Sequence, residues 1–192
     1  MLSLLAMEKG RVILDQKRFS IIIDRICHQL IERYDRFENC CIIGIQPRGV
    51  LLSDRICQRL KEILEIDHIL YGKLDITFYR DDFRTRVQPL EASVTQMDFL
   101  IDGYRVILVD DVLYTGRTIN AALTALNHYG RPDKVELLAL IDRRFNRHLP
   151  IQSDYVGLTV DSVDQAYVKV EWKGEQQAED RVLLYAHKKD AE

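Results

Sequence analysis

Apolar residues recur at helical spacing from Phe19 to about Tyr34: Phe19, Ile22, Ile23, Ile26 and Leu30 share one side, while Asp24, Arg25, His28 and Arg33 fall largely on the other. That pattern predicts an amphipathic helix. Cys40 to Gly44 is then a short apolar run, Gln46-Pro-Arg-Gly49 a polar break, and Leu52, Ile56, Leu60 and Ile63 a second helical stripe, giving strand, loop and helix in order. His68 to Tyr79 is rich in β-formers and Arg105 to Val109 is a nearly unbroken apolar strand. Ile119, Ala122, Leu123 and Leu126 mark the helix behind it, which Gly130 and Pro132 are expected to terminate. Lys134 to Ile141 repeats the buried-strand pattern.

Strands this apolar, alternating with helices, predict an α/β fold with a mainly parallel twisted sheet flanked by helices. After Pro150 the pattern changes to β-like segments at Tyr155 to Val160, Tyr167 to Trp172 and Val182 to His187, read as a β-rich C-terminal extension running antiparallel over or beside the core. No linker composition or repeat interrupts the chain, so residues 1–192 are read as one domain, with a core at about 12–150 and the β-rich tail at about 151–192.

Composition adds limits. At 192 residues with 47% hydrophobic and 30% charged side chains, the chain has material for one sizeable core. A net charge of −3 supplies no global attraction to nucleic acid, so RNA binding would need a local basic face. Cys27, Cys40, Cys41 and Cys57 show neither a C-x-x-C pair nor a zinc spacing, and read as core hydrophobes in a reducing compartment. The apolar run Met1 to Met7 is too short for a signal peptide and no run is long enough to span a bilayer, so a cytoplasmic location without membrane contact is expected.

The candidate chemistry centres on Val106-Ile-Leu-Val-Asp-Asp-Val-Leu-Tyr-Thr-Gly-Arg-Thr118, a strand, two carboxylates and a turn into a helix. Ligands of open α/β sheets bind beyond the strands' carboxyl ends, where a helix N-terminus offers unpaired N–H groups to an anion. Gly116 permits close backbone approach, and Thr115 and Thr118 add hydroxyl donors, which suits a phosphate monoester. Asp110 and Asp111, placed at the strand's end, would accept hydrogen bonds from neighbouring sugar hydroxyls or hold a magnesium ion. The plainer alternative is that these acids cap the helix and the turn is ordinary. A dinucleotide fingerprint and a P-loop are both absent.

These residues resemble the type I phosphoribosyltransferases and, within them, the branch that combines regulation of pyrimidine operons by attenuation with uracil phosphoribosyl transfer. The resemblance runs from Val12-Ile-Leu-Asp15 to about Gly157. Besides the first motif it rests on Leu74-Asp-Ile-Thr-Phe-Tyr-Arg-Asp-Asp82, Gly130-Arg-Pro132 and Leu149-Pro-Ile151. It implies that phosphoribosyl pyrophosphate (PRPP) and a nucleobase, uracil first, give UMP and pyrophosphate with Mg²⁺ as cofactor, in a homodimer or homotetramer. Asp110, Asp111, Val112, Leu113, Tyr114, Thr115, Gly116, Arg117 and Thr118 would then hold the ribose and 5′-phosphate, with Asp110 and Asp111 near the metal through ribose or water. Gln46, Pro47, Arg48 and Gly49 would form the pyrophosphate loop, with a cis Gln46–Pro47 bond as a hypothesis. Leu74 to about Thr95 would be a lid carrying the catalytic Arg80, flanked by Asp81, Asp82, Arg84 and Arg86.

For the base, the resemblance points to Asp142, Arg143 and the backbone around Val160, and for RNA to the positions of Asp24, Arg25 and His28; Arg147, with Arg143 and Arg144, adds a basic run that would supplement them, though a solvated surface run is the plainer reading. Here the chain departs from the family. Where Asp-Arg-Gly-His-Arg is usual it has Asp142-Arg-Arg-Phe-Asn-Arg-His148, and Asp24 places a carboxylate among the RNA candidates, where it would repel phosphate. Two other readings stay open: an RNA-binding regulator that keeps the pocket as a nucleotide sensor, and a purine phosphoribosyltransferase.

Overall fold

The computed structural model describes residues 10–82, 92–161, 166–175 and 177–191. The run Met1 to Met7, the part of the expected lid that carries Arg84 and Arg86, and Ser162 and Val163 lie outside the described residues. In chain order the elements are β1 (Arg11–Leu14), α1 (Gln16–Tyr34), β2 (Cys40–Ile45), α2 (Arg48–Leu64), β3 (Leu70–Leu74), a 3-10 turn (Thr77–Tyr79), β4 (Arg105–Leu113), α3 (Arg117–Leu126), β5 (Lys134–Arg143), a second 3-10 turn (Arg144–Asn146), β6 (Tyr155–Val160), β7 (Tyr167–Glu171) and β8 (Arg181–Tyr185), followed by a 3-10 turn at Lys188–Ala191.

The main sheet has the order β3-β2-β4-β5-β6, and every pairing in it is parallel. Alternation along these strands sorts the side chains to two faces, because the strand period is two. Ile42, Ile107, Val109, Leu138 and Leu140 join α1 and α2 in one core; Cys41, Ile43, Val106, Leu108, Leu137 and Ala139 join α3 in the other. The predicted α/β class therefore follows from strands that are apolar on both faces. All four cysteines are buried and unpaired, and burial pushes the Cys27, Cys41 and Cys57 thiols up to about 12, so they pack as apolar groups.

Three boundaries differ from the sequence reading. β4 does not stop before the acids but runs through Asp110 and Asp111 to Leu113, because β5 continues beside it and pairs as far as Asp142. α3 ends at Leu126, ahead of Gly130. Gly130, at φ 123°, instead sits against the Asp102 carboxylate, where an added Cβ would lie 2.3 Å from Oδ2. The segment Tyr155–Val160, grouped with the antiparallel tail, is the parallel edge strand of the main sheet: the 3-10 turn and loop after β5 return the chain to the sheet's starting end.

The extension proper is a small antiparallel sheet of order β1-β8-β7, so its first strand comes from the other end of the chain. Trp172, fully buried, fastens it to the core, edge-on to Phe19 at 5.7 Å and beneath the Arg55 guanidinium at 4.7 Å. At the opposite end of the main sheet from the acids, buried Glu136 accepts from Tyr34, from Tyr155 (3.0 Å) and from Lys134 (2.6 Å), and pairs with Arg33. That network fixes α1 against β5 and β6.

Candidate active site

Beyond the carboxyl ends of β4 and β5, a cavity of 580 Å³ is lined by Arg80, Asp81, Asp82, Asp110 and the run from Val112 to Ile119. A neighbouring cavity of 500 Å³ is lined by Ile45 to Arg48, Asp75 to Thr77, Arg80, Ser93, Asp110, Asp111, Val112 and Thr118. Asp110, Arg80, Val112 and Thr118 belong to both. The expected phosphate turn, the carboxylate pair, the Gln46–Arg48 loop and Arg80 are thus brought together around one cleft.

The turn expected to hold phosphate is built by Gly116, which sits at φ 89° and ψ −7° and opens α3 without a side-chain cap. The Arg117 N–H makes only a long contact to Thr115 Oγ1, at 3.4 Å, and this end of α3 borders the cavity, where unpaired N–H groups of a helix start suit an anion. A Cβ on Gly116 would lie 3.2 Å from Ile151 Cδ1 and 3.4 Å from Leu149 Cβ, so the Leu149-Pro-Ile151 segment closes the turn from behind. His148 N–H and Leu149 N–H both donate to the Thr115 carbonyl, at 3.0 and 3.3 Å. Arg147 donates to the Tyr114 carbonyl and to Asp142, and the Arg143 guanidinium lies 3.9 Å from the centre of the Tyr114 ring. The end of β5 thereby braces the turn.

Asp110 and Asp111 are each 7% exposed. Asp110 Oδ1 accepts from the Asp111 N–H at 2.9 Å, and Arg48 Nε donates to Asp111 Oδ2 at 2.6 Å. Burial first, and then the neighbouring charge of Asp111, push the Asp110 carboxyl well above the usual range. Arg48 also donates to the Val170 carbonyl, which ties the loop to the small sheet. The Gln46–Pro47 bond is cis, and Gln46 Nε2 donates to the Val94 carbonyl at 2.9 Å. Gly49 is not in the lining: a Cβ there would sit 2.3 Å from the Val109 carbonyl oxygen, so this glycine is what lets α2 start against β4.

Charge in the cleft is unbalanced. Arg48, Arg80 and Arg117 face Asp75, Asp81, Asp82, Asp110 and Asp111 in the two linings, an excess of two negative charges when all are ionised. A polyanion entering this cleft needs a cation with it. Among the described residues no cluster of three or more His, Cys, Asp or Glu could hold a metal by itself. One or two carboxylates beside an anion site do match Mg²⁺, which keeps waters and takes substrate oxygens as its other ligands.

The remaining sequence candidates are more scattered. Asp142 and Arg143 end β5, and Val160 pairs with Arg143 across to β6, so the three lie together at the carboxyl ends of these strands, outside the lining of either cavity. Arg25 donates to the Val156 and Gly157 carbonyls, at 2.9 and 2.6 Å, and fastens α1 to the edge strand. His28 is exposed, whereas Arg147 is turned inward to the phosphate turn, so Arg25, His28 and Arg147 do not form one basic face. The carboxylate of Asp24 is paired with Arg59 at 2.6 Å. Asp75, Thr77 and Ser93 line the cleft within the segment expected as a lid, Leu74 to about Thr95, but sequence reasoning does not single them out, because nothing in their spacing marks them individually.

A family model described as a phosphoribosyl transferase domain matches residues 11–175. The chain belongs to the phosphoribosyltransferase family. Among curated relatives, the protein named bifunctional protein PyrR of Bacillus cereus (strain AH820) is 39% identical over 181 residues, covering 93% of this chain and 99% of the relative. The PyrR of Elusimicrobium minutum (strain Pei191) is 38% identical over 180 residues, with 94% and 99% covered. The same fold appears in solved phosphoribosyltransferase structures: the hypoxanthine enzyme of Trypanosoma cruzi superposes with a TM-score of 0.70 at 14% identity, covering 92% of this chain and 97% of that one. For the Staphylococcus aureus hypoxanthine enzyme the values are 0.66 and 18%, with 95% and 96% covered. The extra antiparallel strands at the C-terminal end accompany a shared phosphoribosyltransferase sheet. Among the described residues no helix is long and apolar enough to cross a membrane.

Proposed function

We propose that this protein transfers phosphoribose from PRPP to uracil, giving UMP and pyrophosphate. The observation that carries the reading is the position of Asp110, which lines both cavities, between an anion-binding turn on one side and the Arg48 loop on the other. A ribose lying at Asp110 would have the turn on its 5′-phosphate side and the Arg48 loop on its pyrophosphate side. Uracil is supported by the resemblance of the Leu74 to Asp82, Gly130 to Pro132 and Leu149 to Ile151 stretches to the pyrimidine-regulating branch, and by the PyrR relatives.

In this reading the amides and hydroxyls from Thr115 to Thr118 hold the 5′-phosphate, and the ribose hydroxyls donate to Asp110 and Asp111. The bond between the anomeric carbon and pyrophosphate breaks as a ring nitrogen of the base approaches from the other face. Positive charge gathers on the sugar, where the two carboxylates lie beside it, and negative charge on the leaving group, which Arg48 and Arg80 receive. No protein nucleophile is required. Mg²⁺ supplies, when bound with PRPP, the positive charge that the cleft lacks, and Asp110 and Asp111 are the residues that would hold it, directly or through ribose and water. Backbone groups of β6 near Val160, beside Asp142 and Arg143, would read the edge of the base. An attenuator-RNA role rests on the resemblance to bifunctional relatives alone, and Arg25 is already engaged by β6.

The test is to mix the protein with PRPP and Mg²⁺ and, separately, uracil, orotate, hypoxanthine and guanine, and to follow nucleotide and pyrophosphate formation. UMP from uracil alone is expected. Turnover of a purine would reassign the base pocket, and tight PRPP or UMP binding without turnover would make the protein a nucleotide-sensing regulator.

A further inference from the structure

Both arginines of the larger cavity are held by carboxylates from a single short segment. Arg80 donates bidentately to Asp82, Nε to Oδ1 at 2.9 Å and a terminal nitrogen to Oδ2 at 3.1 Å. Its other terminal nitrogen is 3.5 Å from Thr118 Oγ1, so this fork is already parked at the edge of the phosphate turn. Arg117, the first residue of α3, pairs with Asp81. Asp81 and Asp82 themselves line the cavity, and both pairs sit in a cleft with surplus negative charge. An acid there does not help to attract a phosphate, so its presence needs another account.

A carboxylate presents two oxygens to a guanidinium fork much as a phosphate does. We propose that Asp81 and Asp82 are internal stand-ins for substrate oxygens: they hold Arg117 and Arg80 in place in the empty cleft and must be displaced when the substrate's anionic groups bind. The proposal rests on the phosphoribosyltransferase reading of the cavity and adds a selectivity device to it. Every anion that uses these arginines first gives up two Arg–carboxylate pairs. A ligand that also engages Asp110, Asp111 and the Arg48 loop recovers that loss, whereas free inorganic phosphate does not. Asp81 and Asp82 are therefore specificity-determining residues that set how tightly the cleft holds simple anions.

The pairs differ in shielding. The side chains of Arg80 and Asp82 are 25% and 32% exposed, those of Arg117 and Asp81 51% and 52%, so water and salt weaken the second pair more. Asp82→Asn should tighten Mg²⁺–PRPP and inorganic pyrophosphate about 5-fold, and Asp81→Asn, whose Arg117 partner lines only the cavity of the turn, should tighten Mg²⁺–PRPP about 2-fold, in equilibrium binding at moderate salt. Asn is nearly isosteric with Asp, and two independent variants guard against a fold defect in one.

A double-mutant cycle separates the stand-in from bulk charge. In an Arg80→Ala background the gain from Asp82→Asn should vanish, because the pair no longer exists. The same gain persisting there, or no tightening in the wild-type background, would overturn the proposal. Failure of wild type to bind PRPP would instead remove the underlying functional reading. Pyrophosphate binding still reports on the arginine pairs in that case, and an Arg80→Ala variant that binds pyrophosphate like wild type would overturn the proposal too.

Discussion

Replacing Asp110 by Asn should make the empty protein more stable while it abolishes turnover. The Asp111 charge is compensated by Arg48 at 2.6 Å, whereas Asp110, 7% exposed, accepts a backbone hydrogen bond at 2.9 Å from the N–H of its charged neighbour. An Asn Oδ1 keeps that hydrogen bond and removes the buried charge. After the hydrogen bond is credited, the relief is about 1–2 kcal/mol, or about 2–4 °C in Tm per kcal/mol for a domain of this size. The pH dependence has a definite sign. The folded-state carboxyl titrates above its unfolded counterpart, so its favourable contribution is complete below the unfolded value and is lost as pH rises through the folded one. The variant's Tm advantage should therefore grow as pH rises from the unfolded value, reach its full size above the folded-state value, and close toward acid pH. The assay is a thermal scan of both proteins without ligand across that range, with turnover measured in parallel. A variant less stable than wild type at neutral pH, or an advantage independent of pH, would refute the assignment of Asp110 as a carboxyl whose burial outweighs the help of Arg48 and Arg80. In excess PRPP and Mg²⁺ the order should invert, since ligand at about 100 times its Kd adds about 2.7 kcal/mol to wild type alone.

Three further outcomes are expected. Gly49→Ala, whose Cβ would press on the Val109 carbonyl oxygen at 2.3 Å, should cost about 2–3 kcal/mol by denaturant titration, since backbone on both sides must move. Glu136→Gln should lower stability by about 2–3 kcal/mol with kcat for phosphoribosyl transfer unchanged. Burial alone would raise the Glu136 pKa, but hydrogen bonds from Lys134, Tyr34 and Tyr155 bring it below the usual range, so in wild type this contribution disappears only as pH falls through that depressed value. Arg147→Ala should raise KM for PRPP about 10-fold, with a smaller effect on affinity for the base, because it frees the Tyr114 carbonyl that shapes the phosphate turn.

The α/β class, the phosphate turn and the carboxylate pair were legible because each is a local pattern: unbroken apolar strands, a glycine opening a helix, two acids in sequence. The depth of Asp110 and Asp111 was not. Their 7% exposure depends on β5 running alongside to Asp142, a pairing between distant residues, so acids expected to be accessible at a strand end are enclosed within it. Tyr155–Val160 has the same β-pattern as β7 and β8, and composition cannot say which sheet a strand joins; the return loop after β5 decides that. Arg147 read as a surface basic residue because its partners, Tyr114 and Asp142, meet it only after the turn has folded. Arg25 likewise shows its use only when α1 lies across β6.

The pairing of β1 with β8 has a consequence for biosynthesis. Arg11–Leu14 is made early but finds its partner only when Arg181–Tyr185 has left the ribosome, one of the longest loop closures the chain contains. Arg48 leans on the carbonyl of Val170, in the strand next to β8, so the Arg48 side of the cleft receives its support at the same late moment. A nascent chain stalled after β6 would already own its phosphate turn and its two aspartates, yet its Arg48 would have no β7 to lean on. Competence to turn over substrate is thus deferred until β7 and β8 have been made and paired.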